Sequence, residues 1–104
     1  MTKPYISHEE ATIASFKRDP DLAAEYLNAV LEDGTQEELM TALRRVAEAF
    51  GMKEVADLAH LNPRTIYRTL SPAGNPELRS FQAILGAMGM RLAVTPMLRD
   101  GNLQ

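Results

Sequence analysis

The sequence predicts an all-α chain built around a helix-turn-helix, with helices ahead of it and one short β-strand behind. Two observations carry this. Apolar residues recur at three- and four-residue spacings in segments bounded by helix-capping residues. Between Met52 and Leu70, two such segments stand only a few residues apart, across a break at His60-Leu61-Asn62-Pro63.

Taken in order, Ser7-His8-Glu9-Glu10 is a capping-box pattern, so a first helix is expected to run to about Lys17. Asp19-Pro20 then sets a cap before a proline at the first helical position. The helix it opens carries Leu22, Tyr26 and Val30 on one face with Leu27 and Leu31, and stops at Gly34. Thr35-Gln36-Glu37-Glu38 is a second capping box, and Leu39, Leu43, Val46, Ala47 and Phe50 follow as a buried stripe closed by Gly51. Val55, Ala56 and Ala59 give the next helix its apolar face. After Leu70 comes a loop, Ser71-Pro72-Ala73-Gly74-Asn75-Pro76. Phe81, Ile84, Leu85 and Met88 mark a last helix from about Leu78 to Met88, ended by Gly89.

Residues 91–95 alternate weakly and read as a strand, with Leu92 and Val94 on one side. A lone strand is not stable. Pairing with the same strand of a second subunit is the economical expectation, so a symmetric homodimer is expected.

The segment beginning at Asn62 is where function is expected. Asn62 is a good N-cap and Pro63 suits the first helical position. Ile66 and Leu70 face inward, while Arg64, Thr65, Tyr67 and Arg68 are left on the other side. The small Ala56 lets the two helices cross closely. Two arginines four residues apart on an exposed helix suit phosphates and guanine edges. Candidate DNA contacts are therefore Arg64 and Arg68, with Asn62 and Thr65 at the helix start, Tyr67 through its hydroxyl or ring, and Lys53 for a backbone phosphate. The alternative for Tyr67 is packing on the Ser71–Asn75 loop; the alternative for each arginine is a solvated helix surface.

The run from Gly51 to Pro76 resembles the helix-turn-helix of the addiction-module antidote proteins, a branch of the Xre (lambda-repressor-like) DNA-binding families. The likeness spans about Asn28 to Pro96, and the aromatic-basic-x-L-S-P-x-G-N-P run from Tyr67 to Pro76 is its most specific part. The family usually has glycine where this chain has His60, so either the turn differs or His60 takes the left-handed conformation at some cost. What the resemblance implies is a lambda-repressor-like fold and a dimer with two partners. One is double-stranded DNA at the operator of its own operon, which it binds as a repressor. The other is a small basic toxin of the RelE/ParE superfamily, which it neutralises.

Composition narrows the field. The 104 residues are the size of one domain, organised as an acidic helical segment over 1–34, a helix-turn-helix domain over 35–96 and a flexible tail over 97–104. With no cysteine, neither disulfides nor a thiolate metal site is available. His8 and His60 have no ligand-spaced partners, and no nucleophile, P-loop or dinucleotide fingerprint occurs, so neither enzyme activity, metal nor cofactor is expected. No apolar run is long enough for a membrane span and the first residues lack a signal-peptide core, which leads to an expected cytoplasmic location.

The net charge of −3 is unevenly spread. Residues 1–42 hold three basic against nine acidic side chains, net −6, and residues 43–104 hold eight against five, net +3. The split suggests two surfaces with different clients, the acidic one presenting Asp19, Asp21, Glu25, Glu32 and Asp33 to a basic partner. The competing reading is an all-α protein–protein adaptor whose helix-turn-helix no longer binds DNA, favoured by the net negative charge and the small basic patch.

Overall fold

The computed structural model describes residues 15–97. Six helices follow in order: α1, helical over the described residues 15–18, then α2 (Pro20–Asp33), α3 (Gln36–Phe50), α4 (Met52–Ala59), α5 (Pro63–Thr69) and α6 (Leu78–Ala87). The beginning expected for α1 at Ser7 lies outside the described residues, as does the tail beyond Met97.

Each boundary has a local cause. The Asp19 side chain accepts the Leu22 N–H at 3.3 Å, and Pro20 fills the first position of α2. Thr35 and Glu38 close a reciprocal capping box at α3: the Glu38 N–H donates to Thr35 Oγ1 at 3.1 Å and the Thr35 N–H to Glu38 Oε1 at 2.9 Å. Gly51 ends α3 at φ 109°, a conformation side-chain-bearing residues avoid, and the chain turns directly into α4.

Helix α3 runs through the core. Leu43, Val46 and Ala47 are fully buried as the expected stripe requires, with Leu39 and Phe50 half-buried at its margins. Met40 and Ala42 are buried as well, which widens the stripe. Around α3 gather Val55, Ala56 and Ala59 of α4, Ile66 of α5, Leu70, and Ile84, Leu85 and Met88 of α6 and its end. Helix α4 packs against α3, α5 and α6, so the zero-exposure Ala56 stands where a larger side chain would push the helices apart.

The face of α2 is the expected one except at its edges, where Ala23 is inside and Leu31 outside. Ala23 and Leu27 are its buried residues, Leu22, Tyr26 and Val30 are half-buried, and Leu31 is exposed. The expected face was chosen by side-chain size; its edges are set by the close approach of α2 to α3, which a small Ala23 permits. Tyr26 meets Phe16 of α1, ring centroids 4.9 Å apart, and Phe16 is fully buried.

The short C-terminal β-strand is not there. No strand occurs among the described residues, and residues 91–97 run on without regular structure. A strand needs a neighbour to receive its N–H and C=O groups, and none of the described residues supplies one. Leu92 is drawn to the core edge while Val94, two residues on, is exposed, so the alternation read from the sequence does not organise the segment.

Two loops fix α5 in place. At the end of α4, His60 donates its backbone N–H to Asp57 O at 3.2 Å and Leu61 to Ala56 O at 2.9 Å, the hydrogen-bond pair of a Schellman motif. That motif needs a left-handed residue, and His60 supplies it at φ 59°, ψ 41°. The same motif recurs after α6 with Gly89 at φ 79°. After α5, Gly74 donates to Ser71 O at 2.7 Å, and Gln36 of α3 donates to Gly74 O at 3.2 Å, so the loop is tied to a helix 38 residues away in sequence.

His60→Gly relieves the left-handed strain of about 1–2 kcal/mol and returns part of it as unfolded-state entropy, so stability rises by about 0.5–1 kcal/mol. Gly74→Ala acts in the opposite sense, because its Cβ would lie 1.8 Å from the Thr69 carbonyl oxygen. The loop must shift, at about 1–3 kcal/mol. Urea unfolding of both variants checks the pair; a destabilised His60→Gly or an unaffected Gly74→Ala contradicts this account of the two loops.

Candidate nucleic-acid interface

Helix α5 is short, and its orientation is decided by two residues. Ile66 has no accessible surface and Leu70, at its C-cap, has none either. Burying two such side chains contributes about 1.5–3 kcal/mol each, enough to fix which way the helix faces. With those two inward, helical geometry turns Arg64, Tyr67 and Arg68 outward, and all three are exposed.

Neither arginine forms an ion pair with another described residue, unlike Lys17 with Glu54 at 3.9 Å and Arg44 with Glu48 at 3.5 Å. Both pairs are well exposed and contribute little to stability. The guanidiniums of Arg64 and Arg68 therefore keep their full donor sets for an external acceptor. Lys53, on the first turn of α4, is exposed and unpaired in the same sense.

The remaining candidate positions are more constrained. Asn62 is exposed, but its side-chain oxygen accepts the Arg64 N–H at 2.8 Å as the N-cap of α5. Its amide N–H groups and the second lone pair of that oxygen remain for another molecule. Thr65 is half-buried, which leaves its side chain restricted access to solvent.

Tyr67 meets a side chain of α3. Its ring lies beneath the guanidinium of Arg44 from α3, 5.1 Å from carbon Cζ to ring centroid, and it stays 39% exposed. Arg44 is in turn held by Glu48, one helical turn on. Arg44 thus belongs to the exposed face of α5 although it comes from another helix. Sequence reading missed it because the polar side of an amphipathic helix reads as solvated surface, and no local pattern announces a contact with a residue 23 positions away.

Among the described residues there is no cluster of histidine, cysteine, aspartate or glutamate able to hold a metal. No helix among them is long and apolar enough to cross a membrane. A cleft between α2 and α3 is lined by Tyr26, Ala29 and Val30 together with Asp33, Glu37, Glu38 and Arg45.

A double-mutant cycle on Arg44→Ala and Tyr67→Ala tests the stacked pair. A coupling of about 0.5–1 kcal/mol in unfolding free energy is expected for an exposed cation–π contact. Strictly additive effects contradict it.

A protein from Haemophilus influenzae (strain ATCC 51907 / DSM 11121 / KW20 / Rd), described as uncharacterized, is 29% identical over 69 residues, covering 66% of this chain and 71% of the relative. No solved structure matches. The family model described as "Probable addiction module antidote protein" matches residues 8–96, most of the chain, which takes in every helix described above. The chain belongs to the addiction-module antidote family.

Proposed function

We propose that this antidote protein is a homodimeric DNA-binding repressor of its own operon as well as the antitoxin of a small basic toxin of the RelE/ParE kind. The observation that carries the DNA half is the exposed face of α5: Arg64 and Arg68 are exposed and form no ion pair with another described residue, on a helix anchored by the fully buried Ile66. In a helix-turn-helix, the second helix lies in the major groove and its outward side chains meet base edges and phosphates. In this reading Arg64 and Arg68 contact guanine edges or phosphates, and Tyr67 meets a thymine methyl or a phosphate. Asn62 donates through its amide, Thr65 lies at the groove edge, and Lys53 neutralises a backbone phosphate.

The toxin half rests on family membership and on charge. Asp19, Asp21, Glu25, Glu32 and Asp33 are all exposed on or beside α2. An acidic surface of this kind steers a basic partner and repels DNA, which keeps the two clients on different sides. Binding, not catalysis, is the whole of this function, and both partners place it in the cytoplasm.

The adaptor reading is favoured by the net charge of −3 and by the small size of the basic patch. Titration of a labelled random duplex at low salt separates the two: the adaptor binds nothing. For the repressor, the double variant Arg64→Ala/Arg68→Ala weakens binding to the promoter duplex of its own operon by about 1–3 kcal/mol for each base-reading arginine. Affinity also falls steeply as salt rises, through counterion release. An unchanged gel shift with the double variant rejects α5 as the reading helix.

A further inference from the structure

A groove of about 700 Å³ runs between α2, α3, α6 and the segment that follows α6. Its apolar lining includes Leu27, Leu39, Phe81 and Met90, with Leu31 of α2 at the lip, 49% exposed. One wall is the non-helical segment after α6, which contributes Arg91, Leu92, Ala93 and Thr95. Ala93 and Thr95 line the groove, whereas Val94 does not and is 98% exposed. Met97 is 86% exposed. A large apolar groove thus lies next to two large apolar side chains that stand in water and do not line it.

We infer that this groove receives the segment 91–97 of a second copy of this chain, the two copies exchanging segments about a twofold axis so that Val94 and Met97 of each fill the groove of the other. Three observations select a second copy as the occupant. A twofold interface requires one patch to carry both the ridge and the hollow, and this patch carries both. The groove lining also holds one acidic and one basic side chain, Glu32 and Arg91, and neither forms an ion pair with another described residue. Twofold exchange sets Glu32 of each copy against Arg91 of the other, twice, whereas a uniformly basic or acidic partner meets a like charge at one of them. Finally, residues 91–97 make no backbone–backbone hydrogen bond with other described residues, so their N–H and C=O groups are available to a neighbouring chain. The segment that forms no strand by itself is ordered by its copy.

This deepens the homodimer part of the proposed function and stands apart from the DNA part. The test is sedimentation velocity of the full chain, without DNA, at micromolar concentration. The wild type is expected to sediment as a dimer of its 11.5 kDa chain. Leu31→Arg and Val94→Arg are each expected to weaken dimerisation by about thirtyfold or more, as interface anchors do. Glu32→Arg and Arg91→Glu are each expected to weaken it by about tenfold, and the double variant carrying both swaps to restore it. All four side chains are exposed in the single chain, so circular dichroism and thermal midpoint of the monomeric forms should match the wild type. A monomeric wild type, a dimer indifferent to Leu31→Arg and Val94→Arg, or a charge swap that restores nothing overturns the inference. A dimer with this behaviour that binds no duplex leaves the inference standing and removes the DNA reading; a monomer that binds duplex does the reverse.

Discussion

The burial of Ile66 and Leu70 is the constraint on which the functional face depends. Helix α5 has seven residues, too few to be stable by its own hydrogen bonds. It exists because two side chains are driven into a core shared with α3, α4 and α6. Once those two are inside, the positions of Arg64, Tyr67 and Arg68 follow from helix geometry. The surface is a consequence of the core.

The loops on either side convert that tendency into a defined position. His60 accepts a left-handed backbone so that the chain can leave α4 and cap it in the same step. Gln36 reaches from α3 to hold the loop after α5. Neither contact is large in energy, but each removes a direction in which α5 could drift. The proposed role of α5 as a reading helix needs its side chains held in register with a partner, and restraints at both ends serve that.

Much of this was legible in the sequence. The caps at Asp19, Thr35 and Asn62, the stripe of α3 and the inward pair Ile66 and Leu70 are local patterns with local causes. His60 was legible as a dilemma between a different turn and a strained residue, and the molecule took the strained residue. What was not legible was decided by contacts between distant segments. The buried side of α2 depends on how closely α3 approaches, so Ala23 is inside and Leu31 outside, against what size alone suggests. The stack of Arg44 on Tyr67 joins two helices through surface residues, and no periodicity encodes it. The strand expected at 91–95 failed for a third reason: alternation describes a face, and a face becomes a strand only beside a neighbour.

The division of charge joins these observations to function. The acidic side chains offered to the toxin lie on and around α2 and the cations offered to DNA lie on α4 and α5, so the two proposed partners need not compete for the same side chains. The most direct measurement of the central claim is an amide chemical-shift titration of the full chain with its own promoter duplex. The account predicts that the largest changes fall at Lys53 and across Asn62 to Arg68, with α2 little affected. Changes concentrated on α2, with Arg64 and Arg68 unmoved, would contradict it.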